Sequence, residues 1–154
     1  MKITVRHAEP EDYKAVHDIF TQPRVVWGTL HLPFSSAEEQ RKRFLQPEEG
    51  SYILVACVDG DVVGHLILRT FPDSPRRKHA GVIGMSVHDE WQGKGIGTEL
   101  MNAVLDFVDN WLDLKRLELT VFADNEPAIH LYQKCGFQVE GEMEMYAFRD
   151  GQFA

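Results

Sequence analysis

At 154 residues the chain is the length of one domain with one substantial core, and its 44% hydrophobic content is ordinary for a globular fold. The formal net charge of −8 argues against broad nucleic-acid or membrane-surface binding, both of which need a basic face, and mildly favours a cationic substrate. No stretch reads as a membrane span or a cleavable signal, Cys57 and Cys135 lack metal-ligand spacing, and the seven histidines form no His-x-x-x-His set, so we expect a cytoplasmic protein with reduced cysteines and no metal.

Residues 2–7 alternate well enough for a first strand. AEPEDYKAVHDIF follows, with Ala15, Val16, Ile19 and Phe20 at helical spacing and Pro10 suited to a first turn. Residues 21–34 hold Pro23, Gly28 and Pro33 among apolar side chains, which predicts an irregular, partly buried loop. Two readings fit it: a lid over a ligand, or Val26, Trp27, Leu30 and Leu32 plugging the core. Ser35-x-x-Glu38 and Ser36-x-x-Glu39 are overlapping capping boxes that open a helix to about Leu45, and Pro47 ends it.

SYILVACV and VVGHLILRT flank Asp59-Gly60-Asp61, a hairpin signal, and a third strand over about 79–87 extends the pair into an antiparallel meander. Arg76, Arg77 and Lys78 precede that strand; eight residues at roughly 3.3 Å each put them about 25 Å from its far end, so they read as a solvated loop. At the far end stands GMSVHDEWQGKGIGTELM, a strand that runs into a glycine-rich turn and then a helix whose Ile96, Leu100, Met101, Val104, Leu105, Val108, Trp111 and Leu112 share one face. Unpaired N–H groups at a helix start, with the positive end of its dipole, attract anions, and Gly93, Gly95 and Gly97 let a pyrophosphate approach the main chain. Neither a P-loop nor a dinucleotide fingerprint fits the spacing, since Lys94 lies between glycines and the preceding strands form a meander. KRLELTVF reads as a strand, ADNEPAIHLYQKCGF as a helix capped by Asp124 or Asn125 with Pro127 in its first turn and Gly136 at its end, and Phe137 to about Phe148 as a final strand.

Two of these segments, taken together, resemble the GNAT N-acetyltransferases, whose pattern Gln/Arg-x-x-Gly-x-Gly/Ala matches Gln92, Gly95 and Gly97. The family's second pattern, Asn-x-x-Ala-x-x-x-Tyr-x-x-x-Gly-Phe, matches Asn125, Ala128, Tyr132, Gly136 and Phe137. The resemblance implies a single α/β domain over 1–154: a mixed sheet flanked by about four helices, with the strands at 79–87 and 115–122 splayed where acetyl-CoA binds. Within the family, RHAEPEDY, VACVDGDVVGHL, NWLDLKRLELTVFADNEPAIHLY and MYAFRDGQF look like the bacterial L-amino-acid N-acetyltransferases that act on phenylalanine and methionine. Related acetyltransferases accept peptides or polyamines, and a non-catalytic acyl-CoA sensor is the alternative of a different class.

By that resemblance, the amides from Gln92 through Gly93, Lys94, Gly95, Ile96 and Gly97 to Thr98 hold the pyrophosphate, and Met85, Ser86 and Val87 pair with the pantetheine arm. The Val87 N–H polarises the thioester oxygen, Asn125 and Ala128 border the arm, and Tyr132 protonates the leaving thiolate. A phenol of pKa near 10 suits that role, although a core aromatic and a helix cap are the plain readings of Tyr132 and Asn125. Gly81 and Thr120 stand where relatives carry a glutamate base, so the proton leaves through ordered water or another group, with Glu118 first candidate and His65 second. An amino-acid carboxylate needs a cationic or amide partner, for which Arg24 and Arg149 are candidates, and Trp27, Leu30, Leu32 and Phe34 are placed to line a side-chain pocket. Family members usually add a strand after the equivalent of RDGQF, whereas this sequence stops at Ala154. The resemblance therefore implies that this strand is missing or is supplied by a partner chain, as in a homodimer.

Overall fold

The computed structural model describes residues 1–154. Five strands form one sheet in the order β1-β2-β3-β4-β5: Ile3–His7, Ser51–Val58, Asp61–Thr70, Ala80–Val87 and Arg116–Glu118. The first four pair antiparallel and β4 pairs parallel with β5. Asp59 and Gly60 turn β2 into β3 with φ of 52° and 84°, the left-handed pair that a two-residue hairpin of this twist requires.

The helices cover both faces. On one face α4, Ile96–Phe107, sets Ile96, Leu100, Met101 and Val104 against Val58, Val63, Leu66, Leu68 and Ile83. A fully buried leucine such as Leu100 contributes about 2–3 kcal/mol through burial alone. The helix lies so close to β3 that a Cβ on Gly64 would stand 2.7 Å from Ile96 Cγ2. On the other face α1, Tyr13–Phe20, and α3, Ala37–Leu45, bury Val16, Ile19, Phe20 and Phe44 against Val55 and Cys57. Arg6 donates two hydrogen bonds to Asp12, which also accepts from the Glu9 N–H, and this pins β1 to the start of α1. Ser36 rather than Ser35 caps α3, its side chain accepting from the Glu39 N–H, without the return bond from Glu39 that would complete a capping box.

Several expectations need correction. Residues 21–34 are not wholly irregular, because Pro23–Gly28 form a short helix, α2, with Pro23 in its first turn. Val25 is the residue it buries; Trp27, Leu30, Leu32 and Phe34 stay exposed, so this segment does not plug the core. The helix after the glycine turn widens into a π turn at Val108–Leu112, which rotates Trp111 away from the apolar face and leaves it 76% exposed. KRLELTVF forms strand only at Arg116–Glu118, and residues 138–147 form none. The chain finishes instead in a hairpin of β6, Phe148–Arg149, and β7, Gln152–Phe153, turning at Asp150 and Gly151. Arg77 is not simply solvated: its guanidinium lies 4.9 Å over the Phe71 ring and donates to Glu118. No helix is long and apolar enough to cross a membrane, and Cys57 and Cys135 are both free thiols.

Candidate active site

β4 presents three different surfaces. Ile83, Met85 and Val87 point toward the α4 core, while Val82, Gly84 and Ser86 alternate with them and face the side of α1 and α3. The third surface is main chain. His88 donates its N–H to Val63 O at 2.9 Å, and in an antiparallel ladder such bonds recur every second residue, so Ser86 and Gly84 also face β3. The N–H groups of Ile83, Met85 and Val87 therefore point to the opposite edge. Pairing with β5 stops at Val82↔Glu118, so this edge is open from Ile83 to Val87.

The open edge leads into the glycine turn. Gly93 and Gly95 have φ of 73° and 88°, and a Cβ on Gly93 would meet nothing, so conformation rather than crowding selects glycine there. Gly97 differs: it lies inside α4, and a Cβ would stand 3.0 Å from Leu131 and 3.2 Å from Met85. Gly95 offers no side-chain cap, so the N–H groups of Ile96, Gly97 and Thr98 have no partner within the helix. Gln92 folds back and donates to Val87 O at 3.1 Å. Lys94 is held 5.0 Å over the Trp91 ring and is not drawn off by a carboxylate.

α5, Glu126–Lys134, closes the far side. Asn125 accepts from the Ala128 N–H, which is the helix-capping role, and its Nδ2 lies near Gly28 of α2. Tyr132 packs edge-on to Phe137; burial, and to a lesser degree Cys135, push its pKa up to about 12. The phenol therefore keeps its proton at neutral pH. Met85 to Val87, most of the glycine turn, and Asn125, Ala128 and Tyr132 line a single cavity of about 2730 Å³, with Lys94 outside it. Drug-sized pockets run to roughly 1,000 Å³, so this open cleft is larger than one small molecule needs.

The two expected bases fare differently from one another. Glu118 accepts from Arg116 and Arg77, both at 2.8 Å, and these bonds lower its pKa, which makes it a weak base. His65 is 6% exposed, edge-on to Phe20 at 4.9 Å, and burial brings its pKa down to about 3, so it is a neutral imidazole. Of the expected carboxylate partners, Arg149 is already engaged: it pairs with Asp124, donates to Trp27 O and lies between the Trp27 and Phe122 rings. Arg24 fixes α2 to the turn after β4 through its backbone N–H and Asp89. Sequence reasoning passed over Arg69, although His65, Ile67 and Arg69 alternate onto one face of β3 and all three line the cavity.

An open strand edge followed by a glycine turn at a helix start can pair with an extended, amide-bearing ligand and accept a phosphate at one end. The model of the acetyltransferase (GNAT) family matches residues 13–137. The chain is 43% identical over 152 residues to the L-amino acid N-acetyltransferase AaaT of Escherichia coli K12, covering 99% of this chain and 93% of that one. It is 30% identical over 154 residues to the spermidine N(1)-acetyltransferase of the same organism, covering 98% and 81%. The structure of a phosphinothricin acetyltransferase from Sinorhizobium meliloti in complex with acetyl-CoA superposes with a TM-score of 0.86 at 22% identity, covering 99% and 84%, and so shares the fold. With the family model, the relatives, the fold and both sequence patterns in agreement, the chain belongs to the acetyltransferase (GNAT) family and is an N-acetyltransferase.

Proposed function

We propose that this enzyme transfers the acetyl group of acetyl-CoA to the α-amine of a free apolar L-amino acid by direct attack in a ternary complex. The observation that carries the donor side is the open N–H edge of β4 meeting the α4 N-terminus at the glycine turn. The pyrophosphate occupies that N-terminus, and the pantetheine arm runs back along β4, where the amides of Val87 and Met85 meet its carbonyl groups and the thioester oxygen.

The neutral amine adds its lone pair to the thioester carbonyl, and the two N–H groups stabilise the oxyanion. Collapse breaks the C–S bond; the Tyr132 hydroxyl donates its proton to the departing thiolate and is reprotonated from solvent. The proton lost by the amine leaves through water in the cleft, because Glu118 is held by two arginines and His65 is too weak a base. The acceptor assignment rests on the amino-acid acetyltransferase relative that covers nearly the whole chain. A polyamine is the second reading, favoured by the −8 charge and the spermidine acetyltransferase relative.

A free-thiol assay with acetyl-CoA and phenylalanine, methionine, phenylalanine amide, spermidine or a short peptide separates these readings. Faster turnover of the free amino acids is the expected result. Preference for the amide or spermidine overturns the amino-acid reading, and stabilisation by CoA without thiol release for any amine overturns the enzyme in favour of an acyl-CoA sensor.

A further inference from the structure

The end of the cavity away from the glycine turn carries Arg43 and Arg69 beside Glu39 and Glu48, in a protein that is acidic overall. Arg6, Arg41, Arg77, Arg116 and Arg149 each have a carboxylate within ion-pair distance. Three arginines that line the cavity pair with no carboxylate: Arg24, whose backbone N–H holds α2 to the turn after β4, and, besides it, Arg43 and Arg69, although Glu39 lies one turn before Arg43 on the same helix. Exposed arginines are ordinarily just solvated, but the placement of these two is specific. Arg69 projects from the strand face that carries His65 and Ile67, and its cross-strand neighbours, Ser51 on β2 and Val82 on β4, carry no charge. Arg43 stands one turn beyond the buried Gln40 on α3, and both line the cavity.

Distance fits as well. Arg69 is level with Val82, three residues before Met85 on β4, or roughly 10 Å along the strand. An arginine side chain and an amino acid whose amine reaches the Met85 edge span that gap between them. The field of the pair reaches its surroundings: after burial, Arg43 and Arg69 are the causes that lower the pKa of His31, and Arg69 acts on His65 too.

Resting on the amino-acid reading above, we infer that Arg69 of β3, assisted by Arg43 of α3, binds the α-carboxylate of the acceptor and is the residue that selects a free amino acid over an amine without a carboxylate. A guanidinium in this role offers two parallel N–H donors to the two carboxylate oxygens, which an ammonium cannot reproduce. Because the carboxylate takes no part in bond making and carries the same charge before and within the transition state, the contact contributes equally to both, and its loss appears in KM.

The test measures kcat and KM for L-phenylalanine and L-phenylalanine amide with wild type, Arg69→Gln, Arg69→Lys and Arg43→Gln, with acetyl-CoA affinity recorded for each. Arg69→Gln should raise KM for phenylalanine about tenfold to a hundredfold, leave kcat near wild type and leave the amide unchanged, so that the acid-over-amide ratio collapses. Arg69→Lys should recover only part of the ratio, and Arg43→Gln should lower it less than Arg69→Gln. An acid-over-amide ratio in Arg69→Gln equal to that of wild type overturns the inference and leaves the amino-acid reading standing. If wild type itself prefers the amide, the amino-acid reading falls and takes the inference with it. Should Arg69→Gln lose acetyl-CoA binding through misfolding, the Arg43→Gln ratio decides, and no change there overturns the paired site.

Discussion

Acid should weaken this fold well before its carboxylates protonate, and His65 is the reason. Its imidazole is enclosed by Phe20 and the sheet, with His31 stacked on the same ring at 3.9 Å and Arg69 two positions further along the strand face, so nothing nearby welcomes a second proton. The folded pKa is about 3, against about 6.5 when the chain is unfolded. Between those values the unfolded state binds a proton that the folded state refuses. The contribution of the neutral imidazole to stability is therefore complete above about 6.5 and falls as pH drops through the window toward 3. From pH 7 to pH 5 the loss covers roughly one and a half pH units at about 1.4 kcal/mol each, or about 2 kcal/mol. His31, lowered by burial and by Arg43 and Arg69, acts in the same direction. Urea unfolding followed by tryptophan fluorescence at the two pH values, in wild type and His65→Gln, measures the difference. Wild type should lose about 2 kcal/mol and the variant only the smaller share due to His31; an equal loss in both proteins would refute the assignment.

Three more expectations follow from the site and the core. Tyr132→Phe should lower kcat by at least about tenfold with acetyl-CoA affinity within twofold of wild type, since the hydroxyl acts as the thiolate departs; an unchanged kcat removes Tyr132 from the acid role. Gly95→Glu places a side chain and a negative charge at a φ of 88° on the α4 N-terminus and should abolish acetyl-CoA binding by calorimetry while circular dichroism stays native. Retained affinity would sink the pyrophosphate reading. Gly64→Ala drives a methyl against Ile96 and Leu100 and should cost about 1–3 kcal/mol, visible as a lower melting temperature; a melting temperature at or above wild type would mean that α4 moves away freely.

What the sequence made legible was local. The Asp59-Gly60 turn, the strand-to-glycine-to-helix passage and the α5 cap are each set by neighbours a few residues apart, and all three form as expected. Pro23 was misjudged because a proline that breaks a helix and one that starts it look alike until the next turn is seen to close. KRLELTVF alternates like a strand along its length, but a strand exists only where a partner pairs with it, and β4 pairs with three of its residues. Glu118 looked available as a base because Arg77 is 41 positions away in the chain, and their contact is created by the return of β4 beside β5. Arg43 and Arg69 were invisible for the opposite reason. Their significance is the absence of partners, and a sequence does not state which charges remain unpaired.

The division of β4 into two side-chain faces and a main-chain edge also bears on how this enzyme can change. On the proposed reading the donor is addressed by peptide N–H groups, which every residue but proline supplies, so substitutions at Val82, Gly84 or Ser86 would alter the wall seen by the acceptor and leave the donor contacts in place. Gly84 has space to spare, since a Cβ there would meet only Ile67, at 3.4 Å. Acceptor preference is thus free to drift on one side of a single strand while cofactor use is inherited unaltered on its edge, and a library confined to Ile67, Arg69, Val82 and Gly84 is a direct route to acetylating amines of a new shape.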